Sequence, residues 1–306
     1  MALHKREFHA NGKLLLSGEY VVLDGALALA VPAKKGQSMQ VFEHSNEKST
    51  SFEWKAYDYN GELWLQENFQ LSDLKIESQS KSEASKMLTA LLNVVHQAKP
   101  EIFDKLSKIE THLEFPNDWG FGSSSTLVSL LALWSGINAY ELLAVTTGGS
   151  GYDIACAQAT TPIFFQREKN GIYVKPVQLH KNILPHLTFV HLNRKQNSRE
   201  AVIEYQQLPK SPTLIEEISN ISLKMQLCDN VREFQILMQR HEWLLSTHIN
   251  MPTVHSVLFP DLDVAAVKSL GAWGGDFVMV CSEKKLENYF SEKGYKTTLS
   301  AENFCF

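Results

Sequence analysis

Long apolar runs are missing from this chain. Its most apolar stretches, "GALALAVPA" and "TLVSLLALWSGI", are too short to cross a bilayer. The opening "MALHKREFHANGK" has no apolar core of the kind a secretory signal needs. Cysteine is scarce: Cys156, Cys228, Cys281 and Cys305 are scattered, with no C-x-x-C pair and no zinc spacing. That pattern suits a reducing compartment and argues against a disulfide framework. Neither charge sign dominates, and a formal net charge of -5 over 306 residues provides no field for nucleic acid or anionic membrane. Repeats and low-complexity tracts are absent as well. These absences predict a soluble, cytoplasmic protein with neither nucleic acid nor membrane among its partners.

What is present is an apolar fraction of 44%, enough to build one large core or two ordinary ones. Residues 8–80 read mostly as strands and turns, among them "KLLLSGEYVVL", "ALALAVPA", "SMQVFEHS", "TSFEWKAY" and "ELWLQENF". After Ser82 the period changes. Leu88, Leu91, Leu92 and Val95 fall at i, i+3, i+4 and i+7, which predicts an amphipathic helix ended by Pro100. "KIETHLEF" alternates like a strand and leads into "FPNDWGFGSSSTLV", after which residues 127–134 continue as a largely buried helix. Farther on, "PIFFQRE", "GIYVKPVQL" and "LTFVHLN" predict three strands. Two helices follow, one with Leu214, Ile218, Ile221 and Met225 on a face and one over 234–245. "GGDFVMVCSE" reads as a strand and 285–293 as a short helix. Strands and helices interleave without a regular βαβ beat, which predicts the α+β class. The least committed stretch, and so the predicted domain boundary, lies between Phe165 and Ser198.

The glycine–serine turn carries the first chemistry. A strand, then Gly-x-Gly-Ser-Ser-Ser-Thr, then an apolar helix presents backbone N–H groups to an anion. Gly120 and Gly122 let the backbone come close, and Ser123, Ser124 and Ser125 add hydroxyls. Serines also start helices as ordinary N-caps, and that alternative stands beside the phosphate cradle. No Gly-Lys-Ser/Thr closes the turn, and the third glycine and downstream acid of a dinucleotide fingerprint are missing. His241, His248 and His255 are spaced by seven, but Pro252 intervenes and "HEWLLSTH" is not H-E-x-x-H. They read as surface or packing histidines. Ser150 in "GGSG" makes no G-x-S-x-G elbow.

Two further stretches join that turn: "ANGKLLLSGEYVVLDG" over 10–25 and "VKSLGAWGGDFVMV" over 267–280. In order and placement the three resemble the motifs of the GHMP kinase superfamily, named for galactokinase and the homoserine, mevalonate and phosphomevalonate kinases. Gly12, Lys13, Gly18, Glu19, Tyr20, Val22 and Gly25 fit the first motif. Pro116, Gly120, Gly122, Ser123 and Ser124 fit the second, P-x-x-x-G-L-G-S-S-A. "GGSGYDIACA" is similar to the segment that brings the family's catalytic aspartate, here Asp153. The resemblance implies a two-lobed α+β fold, with a ribosomal protein S5 domain 2-like lobe over 1–180 and a ferredoxin-like lobe over 181–306. It implies ATP and Mg²⁺ as cofactors, ATP at the lobe junction, and phosphoryl transfer to a small acceptor, an anionic metabolite. On this reading Pro116, Trp119, Gly120, Phe121, Gly122, Ser123, Ser124 and Ser125 surround the nucleotide, and Ser124 and Glu141 ligate the metal. Lys13 pairs with Asp153 and faces the transferred phosphate, while Asp153 accepts or orients the acceptor's hydroxyl proton. Glu19, Tyr20, Ser150, Lys195, Ser198, Gly271, Ala272, Gly274 and Gly275 are implied on the acceptor side.

Plainer readings stand beside these. Lys13 suits a solvated strand start, Asp153 a helix cap after a Gly-Ser-Gly turn, and Glu141 an ordinary surface helix. "NRKQNSREAV" over 193–202 resembles the substrate-side loop of isoprenoid members, with Arg194, Lys195, Ser198 and Arg199 available, or is an exposed polar loop. Tyr20, where mevalonate kinases typically show His, and Asp276 after the last glycine look more like phosphomevalonate kinases. Asn11 replaces the first motif's proline, and Trp273 interrupts the G-A-G-G-G run of the third. That indole either narrows the acceptor pocket or packs as a buried aromatic while Gly274 and Gly275 keep the turn. Mevalonate and phosphomevalonate are the implied acceptors. A diphosphomevalonate decarboxylase-like enzyme and a non-catalytic nucleotide-binding regulator of the same fold are the alternatives. Nothing in the sequence decides between a monomer and a homodimer.

Overall fold

The computed structural model describes residues 4–45, 48–72, 75–78, 80–146 and 149–304; Gly148 of "GGSG" and Cys305 lie outside them. The chain forms two compact units. Met1–Gly12, Lys35–Asn117 and Gly122–Gln158 make the first; Lys13–Lys34, Asp118–Phe121 and Ala159–Phe306 make the second. The expected division at 180 and 181 is one between successive lobes, whereas these units interleave along the chain.

The strands of the first unit are β1 (His4–Ser17), β2 (Ala28–Glu43), β3 (Ser51–Tyr57), β4 (Leu63–Leu71), β5 (Ile76–Ser78) and β6 (Leu106–Leu113); β1 and β2 also run into the second unit. They pair in the order β5-β4-β3-β6-β2, antiparallel except for the parallel pair β3–β6. Alternation sends Phe52, Trp54 and Ala56 of β3 and Met39 and Val41 of β2 to the buried face. Against that face lies α1 (Glu83–Ala98), started by Ser82, whose side chain accepts from Ser85 N. Its Leu88, Leu91, Leu92 and Val95 are all buried, as their spacing predicts. Each such side chain contributes roughly 1.5–3 kcal/mol by leaving water. The remaining helices of this unit are α2 (Ser123–Ser135), α3 (Ala139–Ala144) and α4 (Tyr152–Ala157), and residues from all three join the same core.

In the second unit β7 (Ile163–Glu168) and β8 (Gly171–Pro176) form a hairpin, with β7 pairing to Ala28–Ala30 of β2. Next come β9 (Leu187–His191), α5 (Ser198–Gln206), α6 (Pro212–Leu227), α7 (Val231–His248), α8 (Val254–Leu258), β10 (Ala265–Leu270), β11 (Phe277–Ser282), α9 (Glu287–Glu292), β12 (Thr298–Ser300) and α10 (Ala301–Phe304). The second sheet has the antiparallel order β10-β11-β9-β12. Counted within this sheet the order is 2-3-1-4, the β-α-β-β-α-β arrangement of a ferredoxin-like layer. Helix α7 packs against β10 and β11, both buried along their whole length. Among the described residues no helix is long and apolar enough to cross a membrane.

The stretch "KLLLSGEYVVL", read as strand, stays extended only to Ser17. Gly18 at φ 97° and Tyr20 at φ 60° break the ladder, and Val21–Asp24 wind into a short 3-10 helix. Tyr20, at φ 60° and ψ -52°, is one of the few non-glycine residues with positive φ among those described, a strained conformation that the surroundings have to hold in place.

Candidate active site

Lys13 opens the second unit, inside β1 rather than at a strand start. Its N–H donates to Phe121 O at 3.2 Å and its Nζ to Gly120 O at 2.7 Å. It is half-buried, not a solvated surface lysine. Residues 118–121 are anchored by aromatic packing. Phe121 is fully buried, stacks on Phe277 at 5.1 Å and meets Phe304 at 4.9 Å, while Trp119 meets Phe121 and Phe277 edge-on. Gly120 has φ 65°, and a Cβ on it would lie 2.0 Å from Oδ2 of Asp276. Glycine is therefore required there twice over, by backbone and by neighbour. Asp276 is buried, and its Oδ1 accepts from Gln196 N at 3.2 Å. Burial pushes its carboxyl up from the usual range, with the Lys13 charge opposing. The site residues read from the sequence do not include Asp276; its one signal was its place directly after Gly274 and Gly275.

The third motif turns at Gly271, φ 68°, and Gly274, φ 67°. Trp273 is not a positive-φ residue, so the glycine run is interrupted where a side chain fits. The indole is 6% exposed and its Nε1 donates to Pro252 O at 3.0 Å, the packed arrangement of the two considered. Its backbone N donates to Tyr20 Oη at 2.7 Å, and the Tyr20 ring stacks on Tyr205 of α5 at 5.2 Å. Those contacts hold Tyr20 in its positive-φ conformation. Gly275 is covered by Gln196, whose Nε2 donates to Trp273 O at 3.2 Å. The loop before α5 is thus clasped at Gln196, while Arg194, Lys195, Ser198 and Arg199 stand exposed. Ala272 is buried in the same turn.

Beneath these turns lies a group of buried ionisable side chains whose meeting nothing local in the sequence announces. Glu19, His241, Glu242 and Lys268 are each 2% exposed or less. Lys268 Nζ donates to Glu19 Oε1 and, at 2.8 Å, to Ser269 O. Glu242 accepts from Ser269 N at 3.0 Å and Val254 N at 3.2 Å. Gly18 N donates to His241 Nε2 at 3.0 Å, which places the ring proton on Nδ1. Burial holds His241 well below its usual range, so the ring is neutral; Lys268 adds to this. Burial pushes Glu242 up to about 7 and raises Glu19 against the pull of Lys268. His241 is therefore neither a surface residue nor plain packing: with Glu242 it ties α7 to the first and third motifs. Glu19, expected toward the acceptor, is bonded inward to Lys268.

In the first unit, the serines lie at the start of α2. Its N-cap is Gly122, φ 84°, which has no side chain, so Ser123, Ser124 and Ser125 fill the first turn and none is the cap. No side-chain cap hydrogen bond closes that terminus. Ser124 is exposed. Ser125 is buried, and its Oγ donates to Asp153 Oδ2. Asp153 is not a cap either, since α4 is capped by Gly151. A Cβ on Gly151 would lie 2.8 Å from the ring of Tyr140, whose phenol is pushed up to about 12, chiefly by burial and then by Asp153. Ser150 is buried and accepts from Tyr152 N at 3.3 Å. Pro116 is half-buried. Glu141 stands exposed in the first turn of α3, and no hydrogen bond joins it to Ser124. Among the described residues no group of three or more His, Cys, Asp or Glu side chains gathers to hold a metal ion. Lys13 belongs to the second unit and Asp153 to the first.

No protein-family model matches the sequence, and no curated protein matches it. Solved structures match along nearly the whole chain. Methanococcus jannaschii mevalonate kinase is similar with a TM-score of 0.69 at 16% identity, over 97% of this chain and 96% of its own. Streptococcus pneumoniae phosphomevalonate kinase, solved with phosphomevalonate and AMPPNP, gives 0.68 at 15% identity over 98% and 99%. D-glycero-D-manno-heptose 1-phosphate kinase of Bacteroides thetaiotaomicron gives 0.66 at 16% identity over 99% and 96%. The chain has the α+β fold of the GHMP kinases, as the motif order implies.

Proposed function

We propose that this protein is an ATP- and Mg²⁺-dependent kinase of a small metabolite. The observation that carries the reading is the start of α2, a glycine-capped helix terminus with three serine amides and no side-chain cap, in a chain with this fold. Such a terminus suits the phosphates of a nucleotide. Lys13, beside the Gly120 turn, would place its positive charge toward the transferred phosphoryl group. Asp153 would orient the acceptor hydroxyl, since phosphoryl transfer rests on positioning and electrostatics more than on covalent or proton chemistry. Mg²⁺ characteristically takes one or two protein oxygens beside substrate phosphates, and when bound it neutralises their charge. The exposed hydroxyl of Ser124 fits that donor set, and Glu141 is the carboxylate proposed with it. The exposed Arg194, Lys195 and Arg199 favour an anionic acceptor, with mevalonate and phosphomevalonate the first to test. A cytoplasmic location agrees with this chemistry.

ADP formation should be measured with mevalonate, phosphomevalonate, diphosphomevalonate, sugars and sugar phosphates. Carbon dioxide release from the diphosphate would make the protein a decarboxylase. Nucleotide binding without turnover on every acceptor would make it a regulator. In a kinase, Asp153→Asn should lower kcat by about 10²-fold or more with little change in ATP affinity. Near-normal turnover in that variant removes Asp153 from the chemical step.

A further inference from the structure

We infer that Ser125 is a positioning residue for Asp153 and is not a phosphate ligand through its side chain. The inference rests on the reading of Asp153 as a group of the chemical step. The second motif that this chain resembles ends Gly-Ser-Ser-Ala, and here the alanine position holds Ser125. A serine in the first turn of a phosphate-binding helix is expected to turn its hydroxyl outward to the anion. Ser125 does the opposite. It is 5% exposed, and its hydroxyl proton goes to Oδ2 of Asp153 in α4, a helix that packs on α2.

The consequences follow from hydrogen-bond arithmetic. A serine hydroxyl has one proton to donate, and this one is committed to a carboxylate, the stronger kind of partner. Ser123 and Ser124 then supply the turn's hydroxyls for a nucleotide or metal, and Ser125 supplies its backbone amide. Asp153 has two oxygens, and the serine engages Oδ2 alone. That bond fixes the plane of the carboxylate and leaves Oδ1 as the oxygen for an acceptor hydroxyl. The backbone beneath is held as well: the Tyr140 ring lies against Gly151, the residue that caps α4 two positions before Asp153. Asp153 is therefore pinned at its side chain by Ser125 and at its helix start by Tyr140. Ser125 forms and breaks no covalent bond in this role. It keeps one carboxylate oxygen aimed, and a small misplacement of a reacting group is costly in rate.

The test uses the full-length protein with Ser125→Ala, Ser125→Thr and Asp153→Ala, plus the double variant Ser125→Ala/Asp153→Ala. With the acceptor that supports ADP formation, Ser125→Ala should lower kcat by about 10–100-fold and leave the KM for ATP within about twofold. Ser125→Thr keeps the hydroxyl and should recover most of the loss. In denaturant unfolding, the cycle through the single and double alanine variants should show a coupling of about tenfold in the unfolding equilibrium. Wild-type kcat in Ser125→Ala, a rise confined to the KM for ATP, a Thr variant as slow as the Ala variant, or a coupling near unity each overturn the proposal. A wild-type protein that forms no ADP with any acceptor overturns the reading beneath it. That failure is distinct, because it appears before any substitution is made.

Discussion

Gly120→Ala puts a measurable figure on the contact between the glycine turn and Asp276. Two costs are separable. The first is backbone: at φ 65° an alanine sits in the left-handed region, which costs about 1–2 kcal/mol. The second is steric: the new Cβ would lie 2.0 Å from Asp276 Oδ2 and 2.6 Å from its Cγ, so the carboxylate has to move. Moving it breaks the bond from Gln196 N, and a hydrogen bond to a charged group is worth about 1.5–3 kcal/mol. The sum is roughly 2.5–5 kcal/mol of lost stability. Urea or guanidinium unfolding of four proteins checks it: wild type, Gly120→Ala, Asp276→Ala and the double variant. In the Asp276→Ala background the Oδ2 and Cγ clashes and the Gln196 bond are gone, the retained Cβ is a tight but tolerable 3.0 Å away, and little beyond the backbone cost of about 1–2 kcal/mol should remain. The cost of Gly120→Ala should therefore fall by half or more when Asp276 is already truncated. An equal cost in both backgrounds refutes the reasoning, because the carboxylate would then have no part in the demand for glycine.

Three further outcomes are expected. Lys268→Met leaves Glu19 buried without its counter-charge and should cost about 3–5 kcal/mol, whereas Glu19→Gln/Lys268→Met should cost less than the single change; denaturant unfolding decides. Glu242 is raised from 4.5 to about 7 in the folded state, so its protonated form is favoured by folding. Its stabilising contribution is full below about pH 4.5 and is lost as pH rises toward 7. Stability measured across that window should fall with pH in the wild type by more than in Glu242→Gln, and identical slopes would contradict the burial argument. Trp273→Gly should lower stability by roughly 3–5 kcal/mol through the cavity it leaves, with the acceptor profile unchanged; a widened acceptor range at nearly unchanged Tm would show that the indole shapes the pocket.

The long helices, the class and the order of the motifs were legible from the residues alone, because they rest on information carried by neighbours along the chain. Leu88, Leu91, Leu92 and Val95 repeat at the helix period and are buried in α1, and Leu214, Ile218, Ile221 and Met225 do the same in α6. The glycines and serines of the turn were legible for the same reason, since turn chemistry is local. Short elements were not: α8 has five residues and β12 three, too few for a period to declare itself. Strand β10 was hidden by Lys268, since a lysine reads as a surface residue until its partner is known. Only tertiary packing decided that Lys268 meets Glu19, 249 residues away, with His241 and Glu242 around them. Only packing set Asp276 against Gly120, turned Ser125 inward to Asp153 and gave the Trp273 indole its partner at Pro252. A charged or polar side chain is tolerated in the interior when a matching group arrives with it, and which group arrives is a property of segments brought together from far apart in the chain.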